Sequence, residues 1–129
     1  MQPITWLGIE LKDWITIVAL FLGPILAIQV QKLIEAKKEK RDRRFDIFKT
    51  LMATRAERLS TEHVQALNLI DIEFYGKIRW GTRFQTEREK AVTNAWKNYN
   101  DHLNHTQGGE DWWTRGEELL VKMLYEMSK

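Results

Sequence analysis

Four clusters in the chain have residue types that could do chemistry. His102 and His105 stand three apart, a spacing that puts both imidazoles on one side of a helix, as a shared metal ion requires. Two histidines are only half of a tetrahedral site, and Glu110 and Asp111 would have to complete it. Solvent-facing histidines near a helix end are the simpler reading, so no metal and no other cofactor is expected. Ser60, Thr61 and His63 put hydroxyls near a base. Ser60 is better explained as a helix N-cap with Glu62 in the first turn, and His63 beside it is expected to be exposed. Asp71 and Glu73 are a carboxylate pair of the kind that can share acid–base work. Two positions apart on a helix they point different ways, so ion pairs with Arg55 or Arg58 are expected instead. There is no Cys, which excludes thiolate catalysis, disulfides and cysteine zinc sites. Gly108–Gly109 is too short for a phosphate loop and lacks the Lys-Ser/Thr that would follow. No catalytic residue is assigned, and the chain is expected not to be an enzyme.

The fourth cluster is the one that points to a ligand. Arg79, Trp80, Arg83 and Phe84 interleave cations with aromatic rings inside Lys77–Thr86. Such a set can stack on a base and pair with phosphate, or seat in another protein, where Trp and Arg dominate binding energy. It can also rest on a lipid surface or pack within the domain. Protein contact or self-association is the leading expectation, and nucleic acid is not an expected partner.

These side chains must be held by elements that the hydrophobic pattern locates. Trp14–Gln31 is a run of 18 residues without a charge, followed by KKEKRDRR at Lys37–Arg44. A run of this length is a transmembrane-helix candidate, and the basic flank places the following residues in the cytoplasm and the N-terminus outside. Trp6 and Trp14 flank the run on its outer side, as interfacial Trp residues do. Lys37, Lys38, Lys40, Arg41, Arg43 and Arg44 are expected at lipid headgroups. The strictly apolar part, Trp14–Ile28, rises only about 22 Å. Gln29 and Gln31 therefore sit at the inner edge or face other copies of the helix. Gly23-Pro24 is expected to kink it, because Pro24 removes a backbone donor. Charge is polarised along the chain. Lys32–Arg58 holds ten Lys/Arg against five Asp/Glu, whereas residues 59–129 hold nine against eleven.

The expected organisation is an outer N-terminus (1–13), a membrane helix (14–31), a basic stalk (32–44) and a cytoplasmic helical domain (45–129). The first helix should continue through the stalk, with Phe45, Phe48, Leu51, Met52 and Leu59 packing on the domain. In the next helix, Val64, Leu67, Ile70 and Phe74 form one stripe, and Ala66, Leu69 and Ile72 a second. An arc that wide predicts burial on two sides. Gly76 ends it. Lys77–Thr86 reads as a loop, with a short hairpin as the alternative. A third helix from Glu87 to Asn104 carries Val92, Ala95, Trp96, Tyr99 and Leu103 on one face. A fourth starts near Asp111, with Gly116 a weak point in its first turns. Its apolar pattern still runs at Lys129, so a longer natural chain or a covering partner is expected. The fold class is all-α.

FKTLMATRAERLSTEHVQALNLIDIEFYG at Phe48–Gly76, AVTNAWKNYNDHLN at Ala91–Asn104 and ELLVKMLYEM at Glu118–Met127 resemble a family of small uncharacterised bacterial proteins. The resemblance implies one N-terminal membrane helix, a basic stretch, a helical cytoplasmic region and a bacterial inner-membrane location. It implies no catalytic residue. Relatives often continue past the last helix, and many lack so long an insert as Ile78–Glu87.

Together these features predict a non-enzymatic, homo-oligomeric single-pass membrane protein whose cytoplasmic domain senses or binds a protein trigger. One version is an antiphage-defence effector that clusters and opens a leak in the membrane. A passive membrane-anchored adaptor is the alternative, and a membrane-tethered enzyme the third reading.

Overall fold

The computed structural model describes residues 11–105 and 108–129. Among them are α1 (Leu11–Ala53), α2 (Thr61–Glu73), strands β1 (Lys77–Arg79) and β2 (Thr82–Phe84), α3 (Glu87–Asn104) and α4 (Glu110–Ser128). The fold is all-α apart from the hairpin. Trp6, expected at the outer interface, lies outside the described residues.

α1 is 43 residues long and stays helical through Gly23 and Pro24. One lost donor does not stop a helix that has intact turns on both sides to carry it. The chain divides into two compact units, Met1–Glu39 and Lys40–Lys129. Within the first unit every described residue is exposed, and Phe21 is 70% exposed. Nothing covers its apolar side chains, and the helix is long and apolar enough to cross a membrane. Gln31 donates to Glu35 Oε1 at 3.0 Å, one turn on.

The second unit starts at Lys40, earlier than the Arg44–Phe45 boundary expected, because Lys40, Arg43 and Arg44 are bonded into the domain. Its core takes Ile47 and Leu51 from α1, Ala66, Leu67, Ile70 and Phe74 from the α2 segment, Val92, Ala95, Trp96 and Tyr99 from α3, and Leu120, Met123 and Leu124 from α4. Helical spacing therefore located most of the core. It failed at Phe45, Met52 and Leu59, which are 57%, 45% and 91% exposed. α1 stops at Ala53, and a turn closed by Glu57 N–H to Thr54 O and Ser60 N–H to Glu57 O, both 2.9 Å, swings Leu59 outward. The double burial expected of α2 is also absent. His63, Ala66, Leu67 and Ile70 form its single buried face, while Val64, Leu69 and Ile72 are exposed.

Local chemistry fixes the helix starts. Ser60 caps α2 by accepting from His63 N–H at 3.3 Å. Thr86 and Glu89 form a reciprocal capping box on α3, at 3.2 Å and 2.9 Å. Gly116 is buried in α4. A Cβ there would lie 3.3 Å from the Arg58 guanidinium and from His102 Nε2.

Candidate functional site

The second unit has two polar ends, and they are built differently. At the end where the chain enters it, Glu89 is the centre. Its carboxylate closes the α3 capping box and receives both Lys40 Nζ, at 3.3 Å, and the Arg44 guanidinium. Glu89 is 5% exposed. Burial alone would raise its pKa. The hydrogen bonds from Arg44, the Thr86 backbone and Lys40 outweigh that and hold it at about 2. Arg44 also donates to Glu73 O at 2.7 Å, at the C-terminus of α2, and lies 4.4 Å from the Phe74 ring centre. Arg43 pairs with Glu73 at 2.9 Å. So α2 runs back to the Lys40 end, and α3 begins there.

Between them projects the hairpin. β1 and β2 pair antiparallel with Lys77 opposite Phe84, Ile78 opposite Arg83 and Arg79 opposite Thr82. The alternative reading of Lys77–Thr86, a hairpin, is the one adopted. The two-residue connection is Trp80-Gly81, with φ of +55° and +73°. A type I′ turn demands positive φ at both positions, which Asn-Gly supplies cheaply. A bulky residue there costs roughly 1–2 kcal/mol. Trp80 is also 92% exposed, so no packing within the domain repays that strain. Gly76, φ +93°, is obligatory at the hairpin base, since a Cβ would lie 2.4 Å from Phe84 O.

The structure separates the four residues expected to bind a partner. Arg83, itself exposed, is engaged by Tyr75. It donates to Tyr75 O at 2.7 Å and its guanidinium lies 3.8 Å from the Tyr75 ring centre. Arg79, Trp80 and Phe84 remain exposed, and Ile78 joins them. Of the six cations expected at headgroups, Lys40, Arg43 and Arg44 carry the ion pairs just described. Lys37, Lys38 and Arg41 are exposed, and Arg41 lies 3.9 Å from Asp42.

At the opposite end, the Arg55 and Arg58 guanidiniums both pair with Glu117, one on each carboxylate oxygen. This corrects the expected pairing of Arg55 or Arg58 with Asp71 and Glu73. α1 ends before Arg55, which turns both arginines toward α4. Asp71 instead accepts from Trp96 Nε1 at 3.0 Å. A cavity of about 630 Å³ opens here, lined by Met52, Arg55, Leu59, Trp113 and Glu117 among others. Arg58 sits 6.0 Å from the Trp113 ring centre. Beneath lies His63, fully buried rather than exposed. The Thr54 hydroxyl donates to Thr50 O at 2.7 Å, so it must accept from His63 Nδ1–H at 2.8 Å. That fixes the tautomer and leaves Nε2 as a buried lone pair without a partner. Burial, then the Arg58 charge, push the His63 pKa below its usual value against the Thr54 bond. Burial likewise pushes the Tyr99 phenol up.

His102 and His105 do not converge on a common point. His102 Nε2–H donates to Trp112 O at 2.9 Å and its ring stacks on Trp112, while His105 Nδ1–H donates to Asp101 O at 2.6 Å. Among the described residues no group of three or more His, Asp or Glu is arranged to hold a metal ion.

A family model matches residues 9–129. The chain belongs to DUF6680, a family of unknown function. No curated protein and no solved structure matches this DUF6680 chain. Two of its functional candidates escaped sequence reasoning. Glu89 was signalled by Thr86-x-x-Glu89, the capping-box spacing. Glu117 had no local signal, because its partners lie about sixty positions away.

Proposed function

We propose that this protein is a single-pass, self-associating membrane protein, non-enzymatic, with a cytoplasmic helical domain that receives a protein trigger. The observation that carries the reading is the contrast along α1. Residues 11–39 bury nothing, whereas Ile47 and Leu51 of the same helix are core residues. An apolar surface that continuous needs a non-aqueous neighbour, and lipid supplies one over the whole run. The basic flank after Gln31 sets the C-terminal side in the cytoplasm; ion pairing of Lys40, Arg43 and Arg44 does not remove their positive charge from that count. With the family resemblance this favours a bacterial inner membrane.

The open cleft of Arg55, Arg58, Trp113 and Leu59 is the place for the trigger, since half-buried Arg beside exposed Trp and Leu is what protein partners bury. In the membrane-perturbing version, trigger binding clusters copies, and helices with Gln29 and Gln31 at their inner edge associate in the bilayer. Expression with a potential-sensitive dye tests it. The wild type should depolarise cells when the trigger is present, and Gly23→Leu with Pro24→Leu should suppress the effect. The detergent-solubilised protein should run as a defined oligomer. A monomer that cross-links to one foreign protein would instead establish the adaptor reading.

A further inference from the structure

We infer that the hairpin tip is a lipid-contacting wedge, seated in the headgroup layer of the bilayer that holds α1. The inference rests on the membrane reading above and adds a second, separate contact with lipid. Three observations carry it. First, the hairpin's base is fixed at the Lys40 end of the domain. Arg44 holds Glu73 O at 2.7 Å, Gln85 Nε2 donates to Phe74 O at 2.7 Å, and Lys40 and Arg44 hold Glu89 just beyond the second strand. Second, Lys40 follows the uncharged run by nine residues. Even fully extended, that connection reaches only about 30 Å, which bounds how far Lys40 can lie from the end of the uncharged run. Third, the hairpin has the chemistry of an interfacial anchor. Successive strand side chains alternate faces, so Lys77, Arg79 and Phe84 share one. No ion pair among the described residues involves Lys77 or Arg79. Trp80 extends from the tip in a left-handed conformation that Asn or Gly would adopt more easily. Trp is the side chain that the headgroup region favours, and free cations beside it complement anionic phospholipid.

The chain has no Cys, so single cysteines can carry an environment-sensitive fluorophore. The full-length protein, labelled at Ala19→Cys, Trp80→Cys or Leu59→Cys, is reconstituted in vesicles of phosphatidylcholine with phosphatidylglycerol. Leu59 serves as the contrast because it is as exposed as Trp80, at 91% against 92%, but lies at the other end of the domain. The expected result is quenching by lipid-borne quencher at positions 19 and 80, and by aqueous quencher at 59. Lipid quenching at 19 with an aqueous 80 overturns the wedge and leaves the anchor standing. An aqueous 19 overturns both. Lipid quenching at both 80 and 59 overturns the end-specific contact, and shielding of 80 from both quenchers assigns it to a protein. A label at Thr82→Cys keeps Trp80 in place. There, Trp80→Asn should preserve the turn yet reduce lipid quenching, and Lys77→Gln with Arg79→Gln should lower the ratio of inserted to aqueous tip roughly fivefold per charge on anionic vesicles. No change in either variant would leave the tip without a role and sink the proposal.

Discussion

The two polar ends of the second unit use similar charges to different effect. At the Lys40 end two cations converge on a carboxylate that is buried and already engaged with a helix cap. At the Arg55 end two cations converge on Glu117, whose side chain is 33% exposed beside an open cleft. Burial strengthens each interaction of the first cluster and makes its loss expensive; solvent screens the second. The first therefore locks the domain to the end of α1 that leads toward the apolar run. The second can be remodelled by a partner at modest cost.

The sharpest way to break this comparison is to remove one charge at each end. Glu89→Gln should cost about 3 kcal/mol, because it leaves Arg44 and Lys40 without their shared partner and weakens the α3 cap. Thermal unfolding of the full chain in detergent micelles, followed by the near-ultraviolet signal of its tryptophans, reads this. Gly76→Ala should cost about 2 kcal/mol in the same assay through backbone strain and the close approach to Phe84 O. It would loosen the hairpin without touching either charge cluster. Glu117→Gln should cost only about 1 kcal/mol, and that loss should shrink in high salt. A Glu117→Gln penalty equal to that of Glu89→Gln would mean the two ends are equivalent and end the comparison.

Acid separates the ends by pH window. Glu89 has its folded pKa lowered from 4.5 to about 2, so its stabilisation is complete above pH 4.5 and is lost as pH falls toward 2. His63 also has a lowered pKa, from 6.5. Its contribution is complete above 6.5 and declines as pH falls from there through the folded value, because the unfolded chain takes up the proton first. The far end should thus begin to loosen at a higher pH than the near end. Hydrogen exchange of α2's first turn and of α3's first turn, compared across that range, checks the order. The smallest effect is expected of His63→Phe. It removes the unpartnered Nε2 while Thr54 keeps its bond to Thr50, so stability at neutral pH should change by less than about 1 kcal/mol. The loosening below pH 6.5 should disappear with it.

How far the chain could be read without coordinates depended on the range of the interaction. The apolar run, the cap at Ser60, and the faces of α3 and α4 arise from residues within a few positions of one another, and periodicity carries that information. Leu59 shows where it stops. Its spacing fits the α1 stripe, yet the helix ends six positions earlier, so spacing alone assigned it to the core. His63 is the converse: polar, in a first turn, and buried only because Thr54 stands ready to accept its proton.

The sequence by itself determined that one early segment is long and apolar enough to cross a membrane, that basic residues follow it, and that the remainder is helical. Those are local sums of side-chain transfer energy and turn-by-turn propensity. Tertiary structure alone decided which charges meet: Glu89 with Lys40 and Arg44, Glu117 with Arg55 and Arg58, and Arg83 drawn onto Tyr75 while Trp80 is left outward. Partners so far apart along the chain find one another only once the core has closed, because the packing of apolar faces sets where each polar end lies.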